Sequence, residues 1–391
     1  MLKVALGQSK MLSKPISGVL HLIVYMGFII INIELLEIIL DGLLGTHRLF
    51  APFLGSFYNI LIGSFEILAA FVIFSVIFFW TRRNLIKIRR FWSPEMSGWP
   101  KRDADIILYF EIILMSLFLS MNSTDLLLQN LEAPNYLKAG SFPISQFLTP
   151  LFNSFTQDTL IIFERTFWWL HITGILIFLN YLYYSKHLHI LLAFPNTFFA
   201  NLDPKGKFNN NKMVYREVKQ MLEPNSDPYL TNDNNADQSK FGVSDVLDLN
   251  WIQLMNSYSC TECGRCTAEC PANQTGKLLS PRKIMMDTRD RLEEVGRNIS
   301  LNGSFKDDGN ELLDNYITKE EIWACTSCNA CVEACPIGID PLSIIMEMRQ
   351  YLVLEQSSAP SDLNNMMNNI ENNGAPWPFN NQDRLLWADD K

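Results

Sequence analysis

The sequence predicts an all-α protein in which a four-helix transmembrane bundle is followed by a water-soluble helical domain. Three observations lead to this fold class: long apolar stretches in the first half, eight cysteines in the second half, and a charge difference between the halves. Residues 1–200 carry a formal charge of +2 and residues 201–391 a charge of −11, which together give the −9 of the chain. A nearly neutral apolar half joined to an acidic half is typical of a membrane domain followed by a soluble one. The acidic half also argues against nucleic-acid binding, which requires basic surface.

The transmembrane domain is predicted over residues 1–200 from four apolar stretches, at 16–40, 57–80, 106–121 and 160–184. A bilayer core requires about 20 apolar residues of helix, and the third stretch reaches that length only by continuing towards Leu128. The alternative for any single stretch is a buried helix of a soluble core. The first three stretches contain no Lys or Arg, which makes that alternative poor.

Basic residues predict the orientation of these helices in an inner (cytoplasmic) membrane. The loop between the second and third stretches is rich in Lys and Arg. The two loops on the opposite side contain only one Arg and one Lys, Arg48 and Lys138. Cytoplasmic loops carry the excess of Lys and Arg. A multi-pass protein with four spans would then have both termini and the soluble domain in the cytoplasm.

Ionisable side chains within the spans are costly, so each is a candidate functional residue. The predicted topology places five of them in the outer half of the bilayer, where they could converge around the arginine: Glu34, Glu37, Glu66, Glu164 and Arg165. One interpretation is an ion-pair network that fixes helix packing. The other is a proton path or a binding site for a quinone head group.

Three histidines are candidate ligands of a b-type haem: His21, His171 and His189. Two imidazoles at one depth on facing helices can bind a haem from both sides, and His21 with His189 is the preferred pair. His171 and His189 would share a helix face if the fourth helix continued that far. His171 could instead bind a second haem or quinone, or only form a hydrogen bond, and histidines near membrane ends are often interfacial. His47 is expected on the outer surface.

Two cysteine runs carry the strongest signal in the sequence. Each reads C-x2-C-x2-C-x3-C followed by proline, at 260–271 and 325–336. This is the spacing of a 4Fe-4S cluster, in which three thiolates of one run bind one cluster and the fourth binds the other. Cluster 1 is therefore assigned to Cys260, Cys263, Cys266 and Cys335. Cluster 2 is assigned to Cys270, Cys325, Cys328 and Cys331. Zinc is the alternative metal, but it favours four ligands in two pairs.

The soluble half divides into a polar linker at 201–242, a dicluster domain at 243–354 and an extended tail at 355–391. The linker is expected to contain one short helix at 213–221. Cys270 and Cys325 are 55 positions apart, which exceeds the spacing in a small bacterial ferredoxin. The residues between them show helical periodicity, which predicts an α-helical ferredoxin domain. Trp377, Phe379 and Trp387 in the tail indicate docking onto a partner, with disorder as the alternative.

The cysteine runs and the segment N-G-A-P-W-P-F resemble those of membrane-anchored iron–sulfur oxidoreductases related to heterodisulfide reductase. The soluble half is similar to the heterodisulfide-reductase-C-like dicluster domain, and the membrane half to a shortened nitrate reductase gamma subunit. The resemblance implies haem ligands at His21, His171 and His189, although one histidine expected in the first helix is missing. Many relatives continue into cysteine-rich CCG modules after such a tail, and this sequence lacks one. The resemblance therefore implies that a separate polypeptide, a CCG protein or a flavoprotein, supplies that redox module.

The expected function is electron transfer between a cytoplasmic redox partner and menaquinone or ubiquinone in the membrane, through two 4Fe-4S clusters and either with or without a b haem. The chain would be the iron–sulfur and membrane subunit of a quinone-linked oxidoreductase. No Ser–His–Asp arrangement or phosphate loop is recognisable, so no catalytic residue is assigned. The alternative is a membrane anchor or assembly subunit whose clusters are structural or regulatory.

Overall fold

The computed structural model describes residues 1–204, 206–208, 210–223 and 240–389. Over these residues the chain is helical and has no β-strand, as predicted, apart from one isolated bridge between Leu313 and Ile317. Part of the predicted linker, residues 224–239, lies outside the described part. The chain forms two compact units: Met1–Phe198 with Tyr258–Gly264, and Phe199–Ser257 with Arg265–Lys391.

Four long helices dominate the first unit: α1 (Pro15–Leu44), α2 (Ser56–Asn84), α3 (Trp99–Asn130) and α4 (Gln157–Leu182). Each is long and apolar enough to cross a bilayer, which confirms the four predicted helices. The third helix continues past Leu128, as its predicted length required, and at 32 residues it is the longest of the four. Its apolar run is interrupted by a buried polar stretch, Asn122–Asp125, that the helix nevertheless contains.

The ends of these helices follow from local sequence. Pro15 begins α1, where its missing N–H costs nothing. Gly45, at φ 67°, ends the same helix in the left-handed conformation that glycine adopts without strain. Thr156 caps α4, and its side chain accepts a hydrogen bond from the Thr159 N–H.

The bundle packs in chain order, with α1 against α2, α2 against α3 and α3 against α4. Its core contains Tyr58, Phe65 and Phe118, all fully buried. Gly27 allows α1 and α2 to approach closely, because a Cβ there would lie 2.6 Å from Cγ2 of Val72. Substituting Gly27 would therefore require either the Val72 side chain to move or the two helices to separate.

The remaining helices are shorter. A single helical turn, Ala51–Leu54, lies between α1 and α2. In chain order the helices after α4 are α5 (His189–Phe198), α6 (Lys212–Leu222), α7 (Trp251–Ser259), α8 (Arg265–Ala268), α9 (Pro271–Gln274), α10 (Pro281–Asn302), α11 (Lys319–Ala324), α12 (Ala330–Ala334), α13 (Pro341–Leu354), α14 (Ser361–Asn373) and α15 (Leu386–Asp389). The short helix predicted at 213–221 is thus confirmed as α6. The core of the second unit lies between α10 and α13, where Ile284, Ile344 and Met348 are fully buried.

A buried arginine ties the insertion between the cysteine runs to the rest of the second unit. The Arg291 side chain is 0% exposed and donates to Asp245 through Nε at 3.0 Å and Nη2 at 2.8 Å. It also donates to Asp308 through Nη1 at 2.6 Å and to the Asn310 carbonyl at 2.6 Å. The Leu312 N–H donates to Asp245 at 3.1 Å. One guanidinium therefore joins segments before, within and after α10.

Candidate functional site

The two cysteine runs adopt the same local turn. In the second run, Ser327 and Asn329 have φ values of 56° and 61°. In the first run, the equivalent Glu262 and Gly264 have φ values of 56° and 70°. Such left-handed residues let a short loop curl so that its cysteine side chains can face one centre. The repeated C-x2-C-x2-C spacing is therefore matched by a repeated backbone conformation.

The second run begins at a well-defined helix end. Thr318 and Glu321 form a capping box at the start of α11, whose last residue immediately precedes Cys325. From α13, Arg349 donates through Nη2 to the carbonyls of Ile322, at 2.8 Å, and Cys325, at 2.5 Å. These bonds fix the position from which the cysteine loop leaves α11.

The fourth cysteine of the first run lies beside the second run. The helices α8 and α12 of the two runs are in contact. Burial raises the pKa of the Cys331 thiol to about 12, and the nearby Cys325 and Cys270 add to the rise. The pKa of Cys325 is likewise raised by burial, with Cys270 and Cys328 contributing. Cys325 and Cys331, whose pKa values are raised in this way, need a cationic centre to be kept as thiolates.

Backbone amides point at two of the cysteine sulfurs. The Ser327 N–H donates to Sγ of Cys325 at 3.4 Å, and the Ile339 N–H donates to Sγ of Cys335 at 3.3 Å. Such bonds are typical of cluster-binding loops, in which they tune the reduction potential.

The spacing of the side chains bears on which metal group would fit. Among the described residues, no three His, Cys, Asp or Glu side chains converge at the distance that one metal ion requires. A 4Fe-4S cube is larger than a single ion and holds its four thiolates further apart. The arrangement of Cys270, Cys325, Cys328 and Cys331 is compatible with such a cube.

The first run is divided between the two compact units, since Cys260 and Cys263 group with the first and Cys266 with the second. Cys260 and Cys270 are buried, and Cys263 and Cys266 are half-buried. The assignment of Cys335, from the second run, as the fourth ligand of the cluster bound by the first run remains a prediction from the spacing.

The three candidate haem histidines all lie in the first unit. The predicted common face of His171 and His189 required the fourth helix to continue as far as His189. The helix α4 ends at Leu182 and His189 begins α5, so the two residues do not lie on one continuous helix. Nδ1 of His171 lies 3.0 Å from the Leu114 carbonyl, and Nδ1 of His189 lies 3.1 Å from the Lys186 carbonyl. A carbonyl only accepts, so Nδ1 carries the hydrogen in both rings and Nε2 keeps its lone pair. Metal-ligating histidines commonly have this arrangement.

His187 joins two of these candidates, which the sequence did not predict. Its ring centroid is 5.5 Å from that of His189. Burial lowers the pKa of His187 to about 3, and the neighbouring His189 and His21 lower it further. His21, His187 and His189 therefore form one histidine cluster, while His171 packs separately against Phe118.

The sequence predicted that the buried carboxylates converge around Arg165. In the structure they converge around Arg48 instead. Arg165 pairs with Glu164, its neighbour in sequence, at 2.5 Å. Arg48 donates through Nη1 to Glu34 at 3.2 Å, and through Nη2 to Asp125 at 2.8 Å and to Asn122 at 2.8 Å. Arg48 lies in the loop after α1. A charged loop residue is expected to be exposed, so the burial of Arg48 could not be predicted from its position in the sequence.

The other two predicted glutamates belong to the same region. Glu37 accepts hydrogen bonds from the Tyr58 hydroxyl at 2.8 Å and from the Phe50 N–H at 2.8 Å. Glu66 accepts from the Asn122 amide at 3.2 Å and from two backbone N–H groups, of Ile144 and Ser145. Both side chains are buried.

His47 is also part of this network and is not the plain surface residue that its loop position predicted. Its Nε2 lies 3.0 Å from Asp125, and the Leu137 N–H donates to its Nδ1 at 3.2 Å. Because Nδ1 accepts, Nε2 carries the hydrogen and the ring is neutral.

A small pocket lies beside the network and is lined by Glu37, Asp41, Thr46, His47, Arg48, Asp125, Glu164, Arg165 and Trp168, with Ile38 and Met121. The polar interruption Asn122–Asp125 in the third apolar stretch was the signal that could have predicted it.

The paired cysteine runs and their helical surroundings define an iron–sulfur domain of the dicluster class. Residues 259–339 match the sequence model of the family described as 4Fe-4S dicluster domain. The chain as a whole is homologous to iron–sulfur oxidoreductases, as the relatives below indicate.

Two relatives align with 98% of the chain. One, 28% identical, is the "Probable iron-sulfur-binding oxidoreductase FadF" of Bacillus subtilis. The other, 26% identical, is the "EtfAB:quinone oxidoreductase" of Syntrophomonas wolfei. The chain spans about half the length of these relatives, covering 54% and 52% of them.

A third relative matches a shorter part of the chain. It is one component of the "Ferredoxin/F(420)H(2)-dependent CoB-CoM heterodisulfide reductase" of Methanosarcina acetivorans, 31% identical over 30% of this chain and 58% of the relative. No solved structure matches the chain. These relatives confirm the resemblance to iron–sulfur oxidoreductases related to heterodisulfide reductase.

Proposed function

We propose that this protein is an electron-transfer subunit of a membrane oxidoreductase, passing electrons between a redox partner in the cytoplasm and the membrane quinone pool. The observation that carries the proposal is the packing of the two cysteine runs, with Cys270 of the first beside Cys325 and Cys331 of the second. Two 4Fe-4S clusters bound there would supply one-electron transfer over a short distance. The proposed ligands are the two sets of four cysteines given by the spacing.

The polypeptide contributes insulation and position to this transfer. Cys260, Cys270 and Cys331 are buried, which limits the access of water to the sulfurs. The N–H groups of Ser327 and Ile339 donate to sulfur and stabilise negative charge there. Arg349 holds the carbonyls at the start of the second loop.

The quinone link rests on the membrane unit and on one relative. Four apolar helices of bilayer length bring the chain to the lipid phase, where quinones dissolve. The relative from Syntrophomonas wolfei is named as an EtfAB:quinone oxidoreductase, which supports a quinone as the membrane-side partner. The basic loop between α2 and α3 supports an orientation with the dicluster domain in the cytoplasm of the cell.

A b haem is proposed as an intermediate carrier. In His171 and His189 the Nδ1–H donates to a backbone carbonyl, which leaves the Nε2 lone pair to bind a metal. This arrangement supports both residues as haem ligands. The proximity of His21 to His187 and His189 supports the pairing of His21 with His189.

A separate redox subunit is proposed as the partner outside the membrane. Relatives of the dicluster domain are named as individual components of heterodisulfide reductases, which supports a multisubunit assembly. In the tail, Phe379 and Trp387 are 64% and 76% exposed, as expected of anchors for a docking partner.

The test is spectroscopic and uses the full chain purified anaerobically in detergent. We expect about eight iron and eight sulfide per chain and a cluster signal that is bleached by reductant and restored by a quinone analogue. A reduced b-type haem band would support the haem ligands. Clusters that no quinone reoxidises, with no haem present, would favour an anchor or assembly role instead. Zinc in place of iron would overturn the proposal.

A further inference from the structure

One carboxyl oxygen in the Arg48 network is left without a hydrogen-bond partner. Glu34 is 1% exposed, and its Oε1 accepts from Arg48 at 3.2 Å. Its Oε2 is buried and has no partner among the described residues. A buried ionised carboxylate is costly unless its oxygens accept hydrogen bonds, so this geometry favours the protonated form of Glu34.

The neighbouring carboxylates are better supplied with donors. Asp125 accepts from His47 and from both Nε and Nη2 of Arg48. Glu66 accepts three hydrogen bonds, and Glu37 accepts two. Donors that point at a carboxylate stabilise its ionised form. Glu34 is therefore the member of the network in which a proton is most favourable.

The charges that surround Glu34 also favour a proton on this residue. Four buried carboxyl groups, Glu34, Glu37, Glu66 and Asp125, lie in this network, and the Arg48 guanidinium pairs directly with Glu34 and Asp125. His47 accepts from the Leu137 N–H through Nδ1 and adds no positive charge in that tautomer. Glu164 pairs with Arg165 and so adds no net charge, Asp41 accepts three hydrogen bonds, and the other polar groups here are Thr46, Tyr58 and Asn122. With all four carboxyl groups ionised the region would carry an excess charge of −3, which a buried site does not tolerate. A proton on Glu34 relieves the excess at the residue with the fewest donors.

We propose that Glu34 holds an exchangeable proton and delivers protons to a quinone as it is reduced in the membrane unit. This role rests on the quinone link proposed above. Reduction of a quinone to a quinol takes two electrons, supplied by the clusters, and two protons. The Glu34 carboxyl releases one proton, recovers another from water, and releases that as the second. In quinol oxidation the same steps run in reverse.

The first experiment measures the proton and needs no turnover. Infrared spectra of the detergent-solubilised chain at neutral pH, in water and in deuterium oxide, report the C=O stretch of protonated carboxyl groups. We expect Glu34→Gln to remove one such band, whereas Glu37→Gln and Glu66→Gln, the matched controls, keep it. A band unchanged in Glu34→Gln, or lost in a control instead, would overturn the proposal.

Thermal unfolding gives a second reading of the same charge state. Glutamine has nearly the shape of a neutral carboxyl group, so Glu34→Gln should melt within a degree or two of the wild type. The control variants, which remove an ionised carboxylate from its donors, should melt lower. A Glu34→Gln chain that fails to fold would contradict the proposal, because it would show that Arg48 requires a charged partner there.

The second experiment separates the proton from the quinone. The dithionite-reduced chain is mixed with a soluble quinone analogue, and reoxidation is followed by cluster absorbance. We expect Glu34→Gln to reduce the rate about a hundredfold, with iron content unchanged. Reoxidation at the wild-type rate would refute the role of Glu34. If the wild type itself reacts with no quinone while the infrared band responds as expected, the proposed function fails and the protonated Glu34 stands.

Discussion

Arg291 offers the sharpest test of how the dicluster unit is held together. Replacing it with methionine keeps most of the side-chain volume but removes the charge and every donor. Asp245 would lose two bonds from Nε and Nη2, Asp308 would lose its partner, and the Asn310 carbonyl would lose a donor at 2.6 Å. Two carboxylates would then lose their counter-charge, and a carbonyl would lose a donor, beside an apolar side chain.

The size of the effect follows from burial. Removing one partner of a buried ion pair costs about 3 to 5 kcal/mol. Asp308 is 24% exposed and can recover water, and Asp245 keeps the Leu312 N–H, so we expect the lower end of this range. A loss of about 3 kcal/mol changes the unfolding equilibrium by roughly a hundredfold.

The assay is urea unfolding of the detergent-solubilised holoprotein, followed by visible cluster absorbance and by protease sensitivity. With ordinary urea dependence, the midpoint of Arg291→Met should fall by about 1 to 3 M. Arg289→Met is the matched control, because Arg289 lies on the same helix and its ion pair is with the exposed Asp290, at 3.3 Å. Its loss should cost about 0 to 1 kcal/mol. Equal midpoints for the two variants would refute the argument that burial of this network stabilises the unit.

Three further predictions concern the clusters, the haem and the pH dependence. Cys270→Ser should disturb the cluster bound by the second run, seen as a changed electron paramagnetic resonance signal, whereas a change confined to the other cluster would contradict crossed ligation. His21→Ala should abolish the low-spin haem spectrum, and an unchanged spectrum would rule out the pairing with His189. Burial raises the pKa of Asp287 from its usual 3.8 to about 6. Because the folded chain then binds the proton more tightly than the unfolded chain, stability should fall as pH rises between these values, and Asp287→Asn should flatten that slope in urea titrations between pH 5 and 6.5.

Much of the architecture could be predicted from short-range patterns. The apolar stretches predicted the four long helices because bilayer length is encoded in contiguous sequence. The cysteine spacing predicted the iron–sulfur domain because three ligands come from one tight loop, and the family match covers the same residues.

The polar network in the membrane unit could not be predicted in the same way. Its central residue, Arg48, lies in a loop, and its partners Glu34 and Asp125 are 14 and 77 positions away. Pairing of this kind depends on how the helices pack, which no local pattern specifies. The same limitation applies to Arg291, because nothing in the periodicity of α10 distinguishes it from the neighbouring Arg289.

The position of Arg349 has a consequence for the energetics of electron flow. Its guanidinium carries a positive charge and donates to the Cys325 carbonyl, at the first cysteine of the second run. A cluster bound in this loop would become more negative on reduction, and a fixed cation close by would make that state more favourable. Reduction of a cluster in this loop would then be easier than it would be without Arg349. Exchanging Arg349 for a neutral residue would therefore lower the reduction potential of that cluster.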